Sequence, residues 1–286
     1  MSAVRRAAFA GRFYPGDARD CTRFVDAALD APRIGRSLGG VVPHAGWVFS
    51  GKTAGRTVAG LGASAPDTVV VFGAVHVRDW NRASLADFEA WETPLGLMKA
   101  DTELVAALAD APDITRSPEV HLYEHSIEVE LPFLQRAFPN ARLLPVMVRP
   151  GPWAPGVGRS VRAAVDDLGR KAVYLASTDL THYGPSYGFE PAGRGIEGIR
   201  WAKEVNDRRF ISAVADRDAL RVLDEAERHH NACGAGAVAA MLGALEGTES
   251  EYVELEHTTS AENELSGPNP LDSVGYEAAV LAEQER

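Results

Sequence analysis

Two kinds of apolar pattern alternate along this chain. Leu38 to Pro43, Val69 to Phe72, Arg142 to Val148 and Ala172 to Ser177 are short, nearly continuous apolar runs. Such runs predict strands covered on both faces, as in a parallel sheet. Between and after them lie stretches with helical spacing. Lys52 to Leu61 follows a Ser50-Gly51 entry, and Asp101 is placed to cap a helix reaching about Ala109, with Leu104, Val105 and Leu108 on one side. Glu124 to Phe138 spaces Ile127, Leu131, Leu134 and Phe138 as a helix would, with Pro132 kinking or restarting it. Val157 to Leu168, Glu197 to Ala215 and Ala219 to His229 read as further helices, and Cys233 to Leu242 as one of small residues able to pack closely. Trp91-Glu92-Thr93-Pro94-Leu95-Gly96 marks a hairpin turn within Ser84 to Met98, and Tyr252 to His257 and Ser273 to Val280 are closing strands. Ser260 to Asp272, rich in Gly, Pro, Asn and Ser, is expected to be a mobile surface loop.

This β-α alternation predicts a single α/β domain over residues 1–286, with a central, mostly parallel sheet flanked by helices. A chain of 286 residues can bury a core without disulfides, and Cys21 and Cys233 make no disulfide framework. A formal net charge of -11 argues against a nucleic-acid surface, which needs a basic stripe. The basic start Met1 to Arg6 leads into Phe9-Ala10-Gly11-Arg12-Phe13-Tyr14-Pro15 rather than an apolar leader, and no apolar run is long enough for a membrane span. The expectation is a cytoplasmic protein with no membrane contact.

Three predicted strands end near histidine: Pro43-His44-Ala45-Gly46, Gly73-Ala74-Val75-His76 and Thr178-Asp179-Leu180-Thr181-His182. In an open α/β sheet the carboxyl ends of parallel strands meet at one crevice. One histidine alone is more often a buried group bonded to backbone than a ligand; three at one sheet edge point to a metal. Asp179 beside His182 suits acid/base work or orienting the imidazole, although Ser177-Thr178-Asp179 is also a helix cap. Cys233 opens a helix, where backbone donors lower a thiol's pKa and favour the metal-binding thiolate; a small buried hydrophobe is the plainer alternative. Glu124 and His125, within Tyr123-Glu124-His125-Ser126, suit orienting a substrate or capping a helix. His121 stands without a supporting motif, His229-His230 reads as a solvated helix end, and His257 is a candidate for lining the crevice. An H-E-x-x-H signature is missing.

The blocks Ala10 to Pro15, Pro43 to Gly51, Trp91 to Gly96, Glu124 to Leu134, Ser177 to Tyr183 and Ala232-Cys233-Gly234 together resemble the Memo family, in that family's order. The resemblance implies a domain similar to the class III extradiol ring-cleavage dioxygenases, which hold non-haem Fe(II) with two histidines and a carboxylate. It implies a cysteine in place of that carboxylate: His44, His76 and Cys233 as metal ligands, Asp179 and His182 beside the metal as catalytic groups, and His125, Glu124 and Trp47 as substrate-contacting or supporting residues. One transition metal is implied, Fe(II) or Cu, with Zn a third fit. The implied activity is a dioxygenase-like oxidoreductase acting on a small-molecule substrate; the alternative is a copper- or iron-binding, partner-docking protein without turnover. AMMECR1-like or radical-enzyme partners are implied by family association. Gly73-Ala74-Val75-His76 departs from the Gly-Pro-x-His-like turn of the family, and Ala261 to Leu271 departs from its Ser/Asp-rich stretch.

Overall fold

A computed structural model describes residues 3–78, 81–267 and 270–284. The strands are β1 (Val4–Arg5), β2 (Ser37–Val42), β3 (Thr68–Gly73), β4 (Ala83–Leu85), β5 (Ala90–Thr93), β6 (Gly96–Lys99), β7 (Ile114–Arg116), β8 (Arg142–Val148), β9 (Ala172–Ser177), β10 (His182–Tyr183), β11 (Ser250–Thr259) and β12 (Ser273–Glu283). The helices are α1 (Ala18–Leu29), α2 (Trp47–Gly60), α3 (Thr102–Ala107), α4 (Pro118–His121), α5 (Leu131–Ala137), α6 (Ala154–Asp167), α7 (Ile196–Trp201), α8 (Arg208–Ala215), α9 (Ala219–His229) and α10 (Ala235–Ala244).

The main sheet runs β10-β12-β2-β9-β3-β8-β4-β7, with β11 also paired to β12. Its centre, β2-β9-β3-β8, is parallel, as the apolar runs predict. β12 joins β2 antiparallel, and β4 joins β8 antiparallel, so the whole sheet is mixed. Alternate residues of the central strands serve two cores. Val70, Phe72, Leu144, Val146, Tyr174 and Ala176 pack under α6, α8 and α10, while Val69, Val71, Leu143, Val173 and Leu175 pack under α1, α2 and α5. The predicted hairpin is β5 and β6, which with β1 form a separate three-stranded sheet.

The small-residue pattern of α10 has a geometric cause. A Cβ on Gly158 of α6 would lie 1.8 Å from the Ala240 carbonyl oxygen, and one on Gly243 would lie 2.2 Å from the Pro155 carbonyl oxygen. The two helices therefore touch backbone to backbone, which only glycine at these positions permits.

Two predicted helices are reshaped by long-range bonds. Glu124 to Phe138 is not one helix: residues 122–127 form a loop, 128–130 a 3-10 turn, and α5 starts at Leu131 with Pro132 in its first turn. Arg5 causes this. It is fully buried and donates from Nε to the His121 carbonyl (2.7 Å), from Nη2 to the Glu124 carbonyl (2.9 Å) and from Nη1 to Glu128 (2.5 Å), taking acceptors a helix would need. The Glu128 carboxylate also accepts from the Ala8 and Phe9 amides and the Tyr14 hydroxyl. The second case is the run from Glu197 to Ala215, whose middle, 202–207, is a π turn. Asn206 and Asp207 in that turn both bond Thr181, and Asp207 also faces His257 at 3.0 Å. The loop after Thr259 lies on the surface as expected but is bonded rather than loose. Thr259 and Glu262 form a capping box, Ser266 donates to the Ser260 carbonyl, and Asn263 donates to the Val48 carbonyl at 2.6 Å. Residues 268 and 269 of that loop, and Met1 and Ser2 of the basic start, lie outside the described residues.

Arg5→Met should destabilise the protein by about 3–5 kcal/mol in urea denaturation, because it leaves the Glu128 charge buried without its cation. Adding Glu128→Leu should restore little, since the Ala8 and Phe9 amides then lose their acceptor; full recovery in the double variant would refute this account. Gly158→Ala should cost about 1–3 kcal/mol, or more, because the obstructing atom is a backbone oxygen that cannot rotate away. An unchanged denaturation midpoint would show that α6 and α10 are free to separate.

Candidate metal centre

His44, His76 and Asp179 follow β2, β3 and β9, and these three strands are neighbours in the order β2-β9-β3. The parallel register therefore delivers three side chains to one edge of the sheet. His44 is buried, and its Nδ1 lies 2.7 Å from Ser177 Oγ. That hydroxyl donates its own proton to the Ser126 carbonyl at 2.6 Å, so it accepts from His44. The proton of neutral His44 is thus on Nδ1 and the lone pair on Nε2, which lies 3.2 Å from Cys233 Sγ.

Glu124 performs the same service for His76. Its Oε1 is 3.1 Å from His76 Nδ1 and accepts from the amides of His125 and Ser126, and its Oε2 accepts from the His76 amide at 2.7 Å. A carboxylate holding one imidazole nitrogen fixes the ring and turns the other nitrogen toward the site. His125 stacks on His76 with ring centroids 4.7 Å apart and is backed by Phe13 at 4.7 Å and Phe9 at 5.5 Å. His44, His76 and His125 can each turn a ligand nitrogen to within 4.8 Å of the other two. The arrangement brings His125 closer to the centre than its motif alone suggests.

Cys233 sits just before α10, its amide donating to the Asp179 carbonyl (3.2 Å) while its Sγ accepts from the Asp179 amide (3.3 Å). Gly234 follows because a Cβ there would lie 2.2 Å from the Ser177 carbonyl oxygen. The Asp179 carboxylate accepts from the His44 amide at 2.8 Å, which joins β2 to β9 at their ends. His182 bonds the Leu180 carbonyl through Nδ1 at 3.1 Å. A carbonyl only accepts, so Nδ1 carries the proton and Nε2 keeps a lone pair. Trp47, expected as a substrate-contacting or supporting residue, is buried against Tyr14, Phe24 and Phe133, its indole N–H donating to the Val129 carbonyl. His257 does not line the crevice either but pairs with Asp207 in the interior, and Cys21 is fully buried.

Burial and neighbours set the charge state. Desolvation holds His44 well below the ordinary histidine range, with the other imidazoles adding to the effect, and pushes His125 down to about 4. Burial alone would also lower His76, but hydrogen bonds to Cys233 and Glu124 outweigh it and carry His76 up to about 10. Burial opposes ionisation of Glu124, yet His76 and the backbone amides hold it at about 2. The Cys233 thiol is pushed up by burial and pulled back by His76, so the lowering expected from its helix entry does not prevail. His76 and Cys233 are best described as holding one proton between them, as imidazolium and thiolate or as imidazole and thiol. Burial lifts Asp179 to about 7 against the His44 amide that favours its charged form, and burial lowers His182.

The three imidazoles could hold a metal ion, and a neutral His44 facing a Cys233 thiolate would add a nitrogen and a sulfur donor side by side. Ligand bonds of about 2.0 Å to nitrogen and about 2.3 Å to sulfur, at a tetrahedral angle, place the two atoms roughly 3.5 Å apart. The 3.2 Å between His44 Nε2 and Cys233 Sγ fits this closely.

Comparison with known proteins agrees with the motif reading. The family model described as Memo-like protein matches residues 5–280. A MEMO1 family protein of Pyrococcus abyssi is 34% identical over 296 residues, covering 97% of this chain and 99% of the relative. One from Methanosarcina acetivorans is 33% identical over 288 residues, covering 97% and 99%. Among solved structures, an uncharacterized protein of Escherichia coli K12 superposes with a TM-score of 0.46 at 18% identity, covering 79% of this chain and 91% of its own. With the family's match spanning nearly every residue and both relatives aligned end to end, the chain belongs to the Memo family.

Proposed function

We propose that this protein binds one transition metal ion through His44, His76 and Cys233, and uses it as a dioxygenase-like oxidoreductase on a small substrate. The observation that carries the reading is the orientation of the two imidazoles. Ser177 and Glu124 occupy their Nδ1 atoms, and both remaining nitrogens are directed to the side where Cys233 lies. His125, stacked on His76, is kept neutral by burial and completes the wall beside the ligands.

A redox-active ion such as Fe(II) or Cu, held by three protein donors, supplies open coordination positions and an electron-transfer route. The chain's own part is proton handling and exclusion of water. His182, neutral and with its Nε2 free, is the base that takes a substrate proton. Asp179, lifted to about 7, holds His44 by its backbone and is the second group able to change charge near neutrality. The sulfur of Cys233 supports a second reading without turnover, since a soft donor also suits Cu(I) or Zn(II) and a sequestering role.

Metal analysis of untagged protein prepared without chelators should find about one ion per chain, and His44→Ala, His76→Ala and Cys233→Ser should each lose it while keeping the circular dichroism of the parent. Glu124→Gln should weaken binding about 10–100-fold through loss of the imidazole's orientation. Unchanged occupancy in all three ligand variants overturns the assignment. Oxygen consumption by anaerobically iron-loaded protein with a panel of phenolic substrates separates catalysis from sequestration.

The sign of the pH dependence follows from the proton shared by His76 and Cys233. To bind, His76 must be neutral, keeping its Nδ1 proton on Glu124, and Cys233 must be a thiolate, so one proton is displaced and affinity should rise about tenfold per pH unit from about pH 6 to about pH 9. Isothermal titration in buffers of different ionisation enthalpy reads the displaced proton directly, and a pH-independent affinity would contradict the pairing.

A further inference from the structure

Three imidazoles crowd the centre, although only two of them belong to the ligand set proposed above. The ring centroids of His44, His76 and His125 form a nearly equilateral triangle, with sides of 5.0 Å (His44 to His76), 5.3 Å (His44 to His125) and 4.7 Å (His76 to His125). Metal–nitrogen bonds of about 2.0 Å at a tetrahedral angle put the centroids of ligating imidazoles roughly 5.1 Å apart. A ring that only contacts a substrate is under no such constraint, yet His125 meets it toward both other rings.

The carboxylate behind the triangle points the same way. Glu124 Oε1 lies 3.1 Å from Nδ1 of His76 and 3.3 Å from Nδ1 of His125, so one oxygen stands behind two stacked rings and leaves the Nε2 of each on the far side. Phe13 and Phe9 flank His125 and keep its ring in place by packing. No hydrogen bond among the described residues fixes that ring, whereas Ser177 holds His44 and Glu124 holds His76. His125 also stands on the 122–127 loop, while His44 and His76 follow central strands.

We infer that His125 is a fourth protein ligand, which encloses the resting ion with His44, His76 and Cys233 and is the ligand that an incoming substrate displaces. The inference rests on the metal-binding reading and deepens it: of the positions left open by three protein donors, His125 fills one until substrate enters. The parent, His125→Phe and His125→Gly proteins are titrated with Co(II), whose visible absorption reads the number and geometry of its donors. His125→Phe keeps a ring against His76, Phe9 and Phe13, so a packing role survives the change and a ligand role does not. Both variants should bind Co(II) more weakly than the parent by more than the about 10–100-fold that loss of a supporting residue costs, with absorption unlike that of the parent. Added imidazole should restore the parent spectrum in His125→Gly and leave His125→Phe unchanged. Azide should enter the His125→Phe centre at lower concentration than the parent centre, because no protein ligand has to leave first. A His125→Phe protein with the affinity and spectrum of the parent, or azide binding equal in the two, overturns the proposal while the metal-binding reading stands. A parent protein that takes up no Co(II) overturns both.

Discussion

The guanidinium of Arg5 is fully buried, and the site depends on how its charge is accommodated. Moving such an ion out of water costs many kcal/mol unless its donors are met and a counter-charge lies close. Here one residue near the N-terminus collects the Glu128 carboxylate, the carbonyls of His121 and Glu124, and the face of Trp91 at 4.4 Å. All but Trp91 belong to residues 121–128. The segment is thereby held as a loop, and that loop lets Glu124 turn its carboxylate back onto the amides of His125 and Ser126 and onto His76. An ion pair outside the candidate metal site thus sets the direction of an imidazole inside it.

The opposite side of the site is held just as firmly. Leu180 and Thr181 are bonded to Gly275 of β12 through their backbones, and the π turn aims Asp207 at the Thr181 amide and Asn206 at its hydroxyl. Glycine is required at position 275 because a Cβ there would lie 2.2 Å from an Asp207 oxygen. A π turn rotates the following residues relative to a regular helix. In this chain it places two consecutive polar side chains on the strand end that carries Asp179 and His182. The stretch between them therefore has fixed backbone at both ends, so His182 approaches the metal side from a rigid base.

How much of this was legible in the sequence depended on whether the cause was local. Apolar runs are a local signal, so β2, β3, β8 and β9 were readable, and their parallel order put His44, His76 and Asp179 together by topology alone. From Glu124 to Phe138 the spacing is helical and Pro132 marks the restart that opens α5, whereas the bonds that hold residues 122–127 as a loop come from Arg5, far away in sequence. Trp47 stands in a block with His44, but it begins α2 facing the aromatic core, a direction no motif encodes. His125 was read as a supporting residue because its stacking on His76 is a tertiary fact.

The charges of the buried centre also bear on which ion suits it. Glu124 is held negative, His44 and His125 are held neutral, and His76 with Cys233 carries no net charge while sharing one proton. Displacing that proton leaves Glu124 and the Cys233 thiolate as two negative charges around the ion. A divalent cation brings the set to neutrality, whereas a monovalent one leaves a net negative charge in a desolvated site, which is costly. Sulfur softness alone draws the proposed ligand set toward Cu(I), but the buried carboxylate behind His76 draws it toward M²⁺.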